Sequence, residues 1–310
     1  MRGEESSEPV LRLRGVDIVL IVSCAVAVFT LLGPARWAPG SLSSAGVFTF
    51  FGLMPLVFRW LETRWKNRLL SILADFWLLP VSGLGHGLLN PVVNAINPVI
   101  KDAQLIELDQ RLFGGQASVV LTHTLPAWLN EVLMFCYYGH FVWPLVLGIL
   151  LYRAGKLAAF NEYLLGLGLL FAVNYAMYAV VPAVGPRYYL FDAFTGPVKG
   201  VFFTPTLDSL MRQPGFGRDC FPSGHTGATL VVFFYAFRFA RRYFWVMLLP
   251  GLGLITATLA GRFHYATDLL CAVPLVSVVV GLSRALSRAG ARREEYSPER
   301  SVPVDAIVRP

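Results

Sequence analysis

The fold class is indicated by the run at residues 261–284, which reads GRFHYATDLLCAVPLVSVVVGLSR. A polar start that carries a histidine and an aspartate leads into an apolar segment of about 20 residues, the length that an α-helix needs to cross a bilayer. Hydrophobic residues make up 55% of the 310-residue chain and charged residues 15%, and the mean hydropathy is +0.58. This composition is typical of an integral membrane protein and excludes an ordinary soluble domain.

The whole chain is organised around apolar segments of this kind. Backbone polar groups in lipid must be bonded internally, and no alternating strand pattern is present, so we predict an all-α, polytopic transmembrane helical bundle and not a β-barrel. About eight spans are predicted. They are residues 16–33, 45–60, 69–90, 128–152, 163–183, 225–240, 243–260 and 265–284.

Polar segments lie at both ends and between the spans. Residues 1–15 are predicted to form a cytoplasmic tail, and residues 285–310, which lack apolar periodicity, a disordered cytoplasmic tail. Two connections are long: residues 91–127, whose amphipathic part we expect to lie flat on the membrane, and residues 184–224.

The net charge of +7 has two interpretations, nucleic-acid binding or membrane topology. The basic residues form short clusters beside the apolar segments, which favours topology and a bilayer as the partner, with no nucleic acid. With a cytoplasmic N-terminus, 18 of the 26 lysines and arginines lie inside. We therefore expect a multi-pass protein with both termini in the cytoplasm and the start of the 265–284 span on the extracytoplasmic face.

A second polar start, Pro222-Ser223-Gly224-His225, precedes the 225–240 span. The free N–H groups and positive dipole end of a helix start favour an anion such as phosphate. Gly224 permits close backbone approach, the Ser223 hydroxyl is a further donor, and His225 titrates near neutrality and so is suited to protonating a leaving oxygen. The alternative is a helix start that contains a histidine by chance.

In the run at 261–268, His264 and Asp268 are four residues apart and share one face of a helix. The carboxylate can accept a hydrogen bond from one imidazole nitrogen and leave the other free as a nucleophile. Arg262 supplies a planar, permanently charged group for phosphate oxygens. The alternative is a structural ion pair between Arg262 and Asp268.

Together, residues 222–225 and 264–268 resemble the second and third signatures of the type 2 phosphatidic acid phosphatase superfamily. The resemblance implies a six-helix catalytic membrane domain over residues 69–284, with two additional N-terminal helices at 16–68. It also implies that lipid phosphate esters are cleaved or transferred without metal or cofactor. His264 would form a phosphohistidine, Asp268 would orient it, and His225 would protonate the departing alcohol and activate the acceptor.

Two departures from the usual pattern indicate a branch of that family. The usual arginine six positions before the histidine is replaced by Thr258, and Arg262 stands two positions before His264 instead. The usual first signature is missing, and Arg187 is its nearest substitute for phosphate binding. Both features resemble inositol phosphorylceramide synthases. The expected reaction is transfer of a phospho-head group between a membrane lipid phosphate and an alcohol such as inositol; the alternative is a phosphatase with water as acceptor.

Further polar residues within the spans are candidates for a substrate pocket: His86, Glu131 and His140. The alternative for each is a hydrogen bond between helices. A transporter of anionic lipids is a second class of function, but no inverted repeat is present and the candidate groups gather on one face. The four cysteines are scattered, with neither a disulfide framework nor a zinc-binding spacing.

Overall fold

The computed structural model describes residues 11–65, 67–211 and 217–295. These residues contain α-helices, one short 3-10 turn at Phe191–Ala193 and no β-strand, so the predicted all-α class is confirmed. The helices, numbered in chain order, are α1 Gly15–Leu32, α2 Ser41–Trp65, α3 Arg68–Phe76, α4 Leu78–His86, α5 Asn90–Ile96, α6 Asp102–Phe113, α7 Ala117–Thr124, α8 Ala127–Arg153, α9 Leu157–Val180, α10 Pro186–Tyr189, α11 Phe203–Met211, α12 Gly224–Phe239, α13 Arg241–Ala260 and α14 Ala266–Glu295.

Seven segments of the described chain are long and apolar enough to cross a membrane: α1, α2, α3 with α4, α8, α9, α13 and α14. The span predicted at 225–240 is α12. Its 16 residues reach about 24 Å at 1.5 Å per residue, less than the ~30 Å hydrocarbon core. This short helix packs against α8, α9, α13 and α14, so it lies in the middle of the bundle.

Three predicted spans differ in detail from the helices, the first because α2 extends over Ser41–Trp65 and not only over 45–60. The span at 69–90 is divided between α3 and α4 at Trp77, because Pro80 has no N–H to donate to the carbonyl of Phe76 and its ring crowds that carbonyl. Helix α9 begins at Leu157 and not at residue 163. Its polar first turns are accommodated by partners, since Asn161 accepts a hydrogen bond from Arg14 at 2.9 Å.

The prediction of a disordered tail from residue 285 was wrong for its first part. Residues 285–295 continue α14 to Glu295, because alanine, leucine, arginine and glutamate favour the helix even where no apolar face is needed. Residues 296–310 of the predicted C-terminal tail and residues 1–10 of the N-terminal tail lie outside the described residues.

The N-terminal helices are packed closely onto the rest of the bundle. Helix α1 contacts both α2 and α9, and all three contribute to one hydrophobic core. A buried ion cluster joins α1, α2 and α3: Arg59 bonds Asp17 at 2.9 Å and Asp75 at 2.8 Å, and Arg14 pairs with Asp75 at 2.7 Å. A domain boundary at residues 68/69 stays a prediction.

The order of the last three helices brings the two polar motifs together. Helices α12 and α13 are joined only by Ala240 and pack against each other, so they run in opposite directions, and α14 returns parallel to α12. Helices α12 and α14 therefore begin at the same end of the bundle, where the Ser223 N–H donates to the Asp268 carbonyl at 3.2 Å. The ion cluster lies at the other end, near the start of α9.

Candidate active site

The centre of the candidate site is a chain of three side chains. His264 Nδ1 lies 3.2 Å from Asp268 Oδ2, and His264 Nε2 lies 3.5 Å from His225 Nδ1. Asp268 is fully buried, and His264 is 4% exposed. An ionised carboxylate can only accept a hydrogen bond. Asp268 therefore favours the His264 tautomer that has its proton on Nδ1 and a free lone pair on Nε2. This lone pair points toward His225.

His225 is held by rings on both sides. Its imidazole stacks on the Tyr137 ring at a centroid separation of 4.8 Å, and the His140 ring lies 4.3 Å away. His225 is half-buried and lines the neighbouring cavity together with His264. The two ring contacts therefore limit the orientation of this second imidazole.

Cys220 is a member of the site that the sequence did not indicate. Its Sγ–H donates to Asp268 Oδ2 at 2.9 Å, and Sγ lies 3.6 Å from His264 Nδ1. Burial, and after it the negative charge of Asp268, raises the pKa of this thiol well above its usual value. At neutral pH Cys220 is thus a neutral donor to the carboxylate that orients His264.

Arg262 reaches the site through an unusual backbone conformation. It has a positive φ of 66°, which is uncommon for a residue with a Cβ. Its Nε donates to the Thr122 hydroxyl at 3.2 Å and its Nη2 to the Gly196 carbonyl at 2.7 Å, while its guanidinium lies 4.1 Å from the Phe194 ring centroid. Burial lowers the pKa of Arg262 to about 10, with a further contribution from the charge of Arg187, so it stays cationic at neutral pH.

Arg187 lies beside Arg262. Its backbone N–H donates to the Arg262 carbonyl at 2.8 Å, and its guanidinium forms a salt bridge with Asp208 on α11. The turn before it requires glycine: Gly185 has φ +85°, and a Cβ there would meet the Phe263 carbonyl oxygen at 2.7 Å. The two arginines that the sequence singled out are thus brought to one place.

These side chains surround a cavity of about 290 Å³. Its wall combines the predicted catalytic and phosphate-binding groups with aromatic and apolar side chains. Among the wall residues are Tyr138, His140, Tyr188 and the pair His86–Asp219, in which His86 Nε2 lies 3.1 Å from a carboxylate oxygen. His86 and His140 both line this cavity, and the partner of His86, Asp219, lies in the connection before α12 and not on a neighbouring helix.

Two aspartates from the 91–127 connection hold the site together. Asp102 accepts hydrogen bonds from the Gly185 N–H at 2.9 Å, the Val184 N–H at 3.0 Å and the Tyr265 hydroxyl at 2.8 Å. It therefore ties the turn before Arg187 to the residue after His264. We expected the amphipathic part of this connection to lie flat on the membrane. The sequence did not indicate that its helix α6 packs on α14.

Asp109, also on α6, caps the start of α14. Its oxygens accept from the Ala266 N–H at 2.9 Å, the Thr267 N–H at 2.8 Å and the Thr267 hydroxyl. These are the N–H groups that a helix start leaves without an internal partner. Asp109 is only 1% exposed, so no water replaces it. The cap fixes the first turn of the helix that carries Asp268.

Ser223 and Gly224, which were predicted to bind phosphate, also have structural contacts. Ser223 is fully buried, and its Oγ accepts from the Thr226 N–H at 3.2 Å, because a helix start needs an N-cap acceptor. At Gly224 a Cβ would meet Asn174 Oδ1 at 2.8 Å, so the glycine permits close packing on α9. Neither residue belongs to the wall of the 290 Å³ cavity, whereas Gly224 lines a smaller cavity of about 70 Å³ together with His140 and His225. Phosphate binding by these two residues stays a prediction.

Glu131 was predicted to line a substrate pocket, and the structure contradicts this prediction. Its carboxylate accepts from four consecutive backbone N–H groups, those of residues 201–204, at 2.7–3.1 Å. The N–H groups at the start of α11 have no acceptors within the helix, and Glu131, near the start of α8, offers them a negative charge. Glu131 thus holds the α11 connection in place outside the cavity.

The alternative of a structural ion pair between Arg262 and Asp268 is not what the structure shows. In the described part of the chain, the two side chains have different partners, Thr122 and Gly196 for the arginine and His264 and Cys220 for the aspartate. Arg262 therefore lines the cavity as a cation that Asp268 does not neutralise.

Comparison with known proteins gives one family. A family model described as the PAP2 superfamily matches residues 103–282, more than half of the chain, and this range includes both arginines, both histidine motifs and all of α6 except Asp102. No curated protein and no solved structure matches the chain.

Proposed function

The chain belongs to the PAP2 superfamily, and from this premise we propose that it is a membrane phosphotransferase that moves a phosphoryl or phospho-head group from a lipid phosphate ester to an alcohol, through a phosphohistidine at His264. One observation carries the proposal. Asp268, His264 and His225 form a chain in which an oriented nucleophile faces a second imidazole at 3.5 Å.

In the first step, the Nε2 lone pair of His264 attacks phosphorus. An N–P bond forms as the P–O bond to the leaving alcohol breaks, and His225 donates its proton to the departing oxygen. In the second step, His225 takes a proton from the acceptor hydroxyl, the acceptor oxygen attacks phosphorus, and the N–P bond breaks. Asp268 holds the proton on Nδ1 throughout.

Charge on the transferred group is stabilised by the two arginines of the cavity wall. Phosphoryl transfer depends mainly on positioning and on positive charge near the equatorial oxygens. Arg187 and Arg262 are proposed in this role, in place of the basic residues that the usual family signatures provide. Asp208, the partner of Arg187, has to give up part of that salt bridge when an anionic substrate arrives.

A membrane amphiphile as substrate is supported by a second, apolar groove. It encloses about 630 Å³ between α3, α4 and α8, and its wall includes Trp77, Leu145 and Phe171. The groove shares His140 and Phe141 with the 290 Å³ cavity. The two spaces are therefore adjacent, and we propose that a lipid whose phosphate lies at His264 places a hydrocarbon chain in this groove.

An alcohol acceptor is supported by polar groups that line the cavity. The Tyr138 hydroxyl and His140 Nδ1 are buried and have no partner among the described residues. Together with Tyr188 and the His86–Asp219 pair, they offer donors and acceptors to a compound with several hydroxyl groups. The positions of the basic residues support an extracytoplasmic location of this cavity.

The test uses the purified full chain in lipid vesicles that contain a ³²P-labelled lipid phosphate, with and without free inositol. We expect label in an organic phosphate when inositol is present and no label movement in His264→Ala. If orthophosphate is released independently of inositol, the protein is a phosphatase and not a transferase. If the labelled lipid crosses the bilayer without covalent change, the protein is a transporter and not an enzyme.

A further inference from the structure

Three potential metal ligands meet in the candidate active site although they are far from a zinc-binding spacing in sequence. Cys220 Sγ lies 2.9 Å from Asp268 Oδ2 and 3.6 Å from His264 Nδ1, and the last two atoms lie 3.2 Å apart. Thiolate, imidazole and carboxylate together are a donor set that suits Zn²⁺. All three residues are buried, and they form the one such group in the described residues.

The triangle of donor atoms is close to the size that a zinc ion requires. Zinc bonds of about 2.3 Å to sulfur and about 2.0–2.2 Å to nitrogen and oxygen place tetrahedral ligand atoms roughly 3.3–3.6 Å apart. The observed separations of 2.9, 3.2 and 3.6 Å need to open by at most about 0.7 Å.

The surroundings allow an ion to arrive and a fourth ligand to bind. Cys220 and His264 belong to the wall of the 290 Å³ cavity, so the fourth position of a three-ligand site can be open to this cavity. The second oxygen of Asp268 is buried and has no partner in the described chain. The positive charge of Arg187 is countered by Asp208, and Arg262 is the cation of the cavity wall that an arriving Zn²⁺ has to pass.

We propose that Cys220, His264 and Asp268 form an inhibitory site for Zn²⁺ or a similar transition-metal cation. The inhibitory effect rests on the proposed function, whereas metal binding does not. On binding, the Cys220 thiol loses its proton to solvent and Sγ bonds the metal. His264 must present a lone pair at Nδ1, so its proton moves to Nε2.

That change of tautomer removes the nucleophile. With the proton on Nε2, the atom that faces His225 no longer has a lone pair for phosphorus, and Asp268 is engaged by the metal instead of by the imidazole. Zn²⁺ therefore stops turnover without occupying the phosphate position. Removal of the metal returns the proton to Nδ1 and restores the enzyme.

The experiment uses the full chain, purified in detergent and freed of metal, with Zn²⁺ and Co²⁺ as probes. We expect Zn²⁺ to inhibit turnover and a chelator to restore it, and Co²⁺ to show thiolate charge-transfer and tetrahedral d–d absorption. Cys220→Ser keeps a donor to Asp268 but is a poor ligand. It should lose the charge-transfer band and need at least about tenfold more Zn²⁺ for inhibition.

Cys271→Ser is the matched control, because Cys271 is half-buried on α14 and outside the cavity wall; it should keep both the band and the inhibition. His264→Ala, which retains the thiol, should also lose tetrahedral absorption, so the inference does not depend on one variant. Absorption that is unchanged in Cys220→Ser, or activation by Zn²⁺, would overturn the inference. If the wild-type protein binds cobalt through Cys220 but has no turnover, the proposed function is overturned and the metal site is not.

Discussion

Replacing Asp109 by asparagine tests whether α6 holds the catalytic helix in place. The Asp109 carboxylate accepts a hydrogen bond from the Ala266 N–H at 2.9 Å. Asparagine has almost the same shape, but its Nδ2 group is a donor and faces this N–H. The Oδ1 atom can still accept from Thr267. The variant therefore leaves both the Ala266 N–H and the new Nδ2 group without an acceptor, and it removes one negative charge from the start of α14.

The size of the effect follows from these two losses. A buried donor without a partner costs about 1–3 kcal/mol, and a carboxylate at a helix start contributes about 0.3–1 kcal/mol, and up to ~2 kcal/mol when partly buried. We expect a loss of about 2–4 kcal/mol at the start of α14. His264 and Asp268 flank this turn, and an error of about 1 Å in a reacting geometry costs roughly 10²-fold in rate. The expected fall in kcat is about 10- to 100-fold.

The assay compares kcat, KM and the thermal unfolding midpoint of the purified variant with those of Glu107→Gln, which changes an exposed carboxylate on the same helix. Glu107 pairs only with Arg111 among the described residues, and such surface pairs contribute about 0–1 kcal/mol. Asp109→Asn should lower kcat and the midpoint, and Glu107→Gln neither. Full turnover and an unchanged midpoint in Asp109→Asn would refute the positioning role of α6.

Three further predictions concern the substrate and the topology. Arg262→Lys keeps the charge but loses the planar group that binds phosphate oxygens in pairs, so kcat/KM measured by steady-state kinetics should fall by about tenfold or more. A kcat/KM at the wild-type level would contradict this role of Arg262. Leu145→Trp narrows the 630 Å³ groove and should raise KM for long-chain but not for short-chain substrates; an equal rise for both would argue against a chain-binding groove. In whole cells, an impermeant thiol reagent should label Lys199→Cys but label Arg153→Cys only after permeabilisation, and the reverse pattern would invert the proposed topology.

The bundle was predictable because its signal is local. Each span carries its own apolar run, and the two histidine motifs stand directly at helix starts, so length and periodicity were sufficient to place them. The four-residue spacing of His264 and Asp268 likewise implies one helix face without knowledge of the rest of the chain. These are the features for which neighbouring residues in sequence are also neighbours in space.

The supporting residues were not predictable in this way. Asp109 bonds the Ala266 N–H across 157 positions of sequence, and on its own short helix it resembles a solvent-facing carboxylate. Glu131 was assigned to a pocket because an ionisable residue within a span is a functional candidate by default. Its partners, the N–H groups at the start of α11, carry no signal in the sequence. Cys220 was missed because its ligand-like neighbours lie 44 and 48 positions away.

The most direct measurement is the detection of phosphate on His264 itself. His225→Ala is supplied with a lipid analogue whose aryl leaving group departs without an acid, so the first step proceeds while the second lacks its base. Mass spectrometry of the digested protein should then find an acid-labile phosphate on the peptide that contains His264, and none after His264→Ala. Turnover of the wild type with no phosphorylated histidine, or with the label on another residue, would contradict the mechanism.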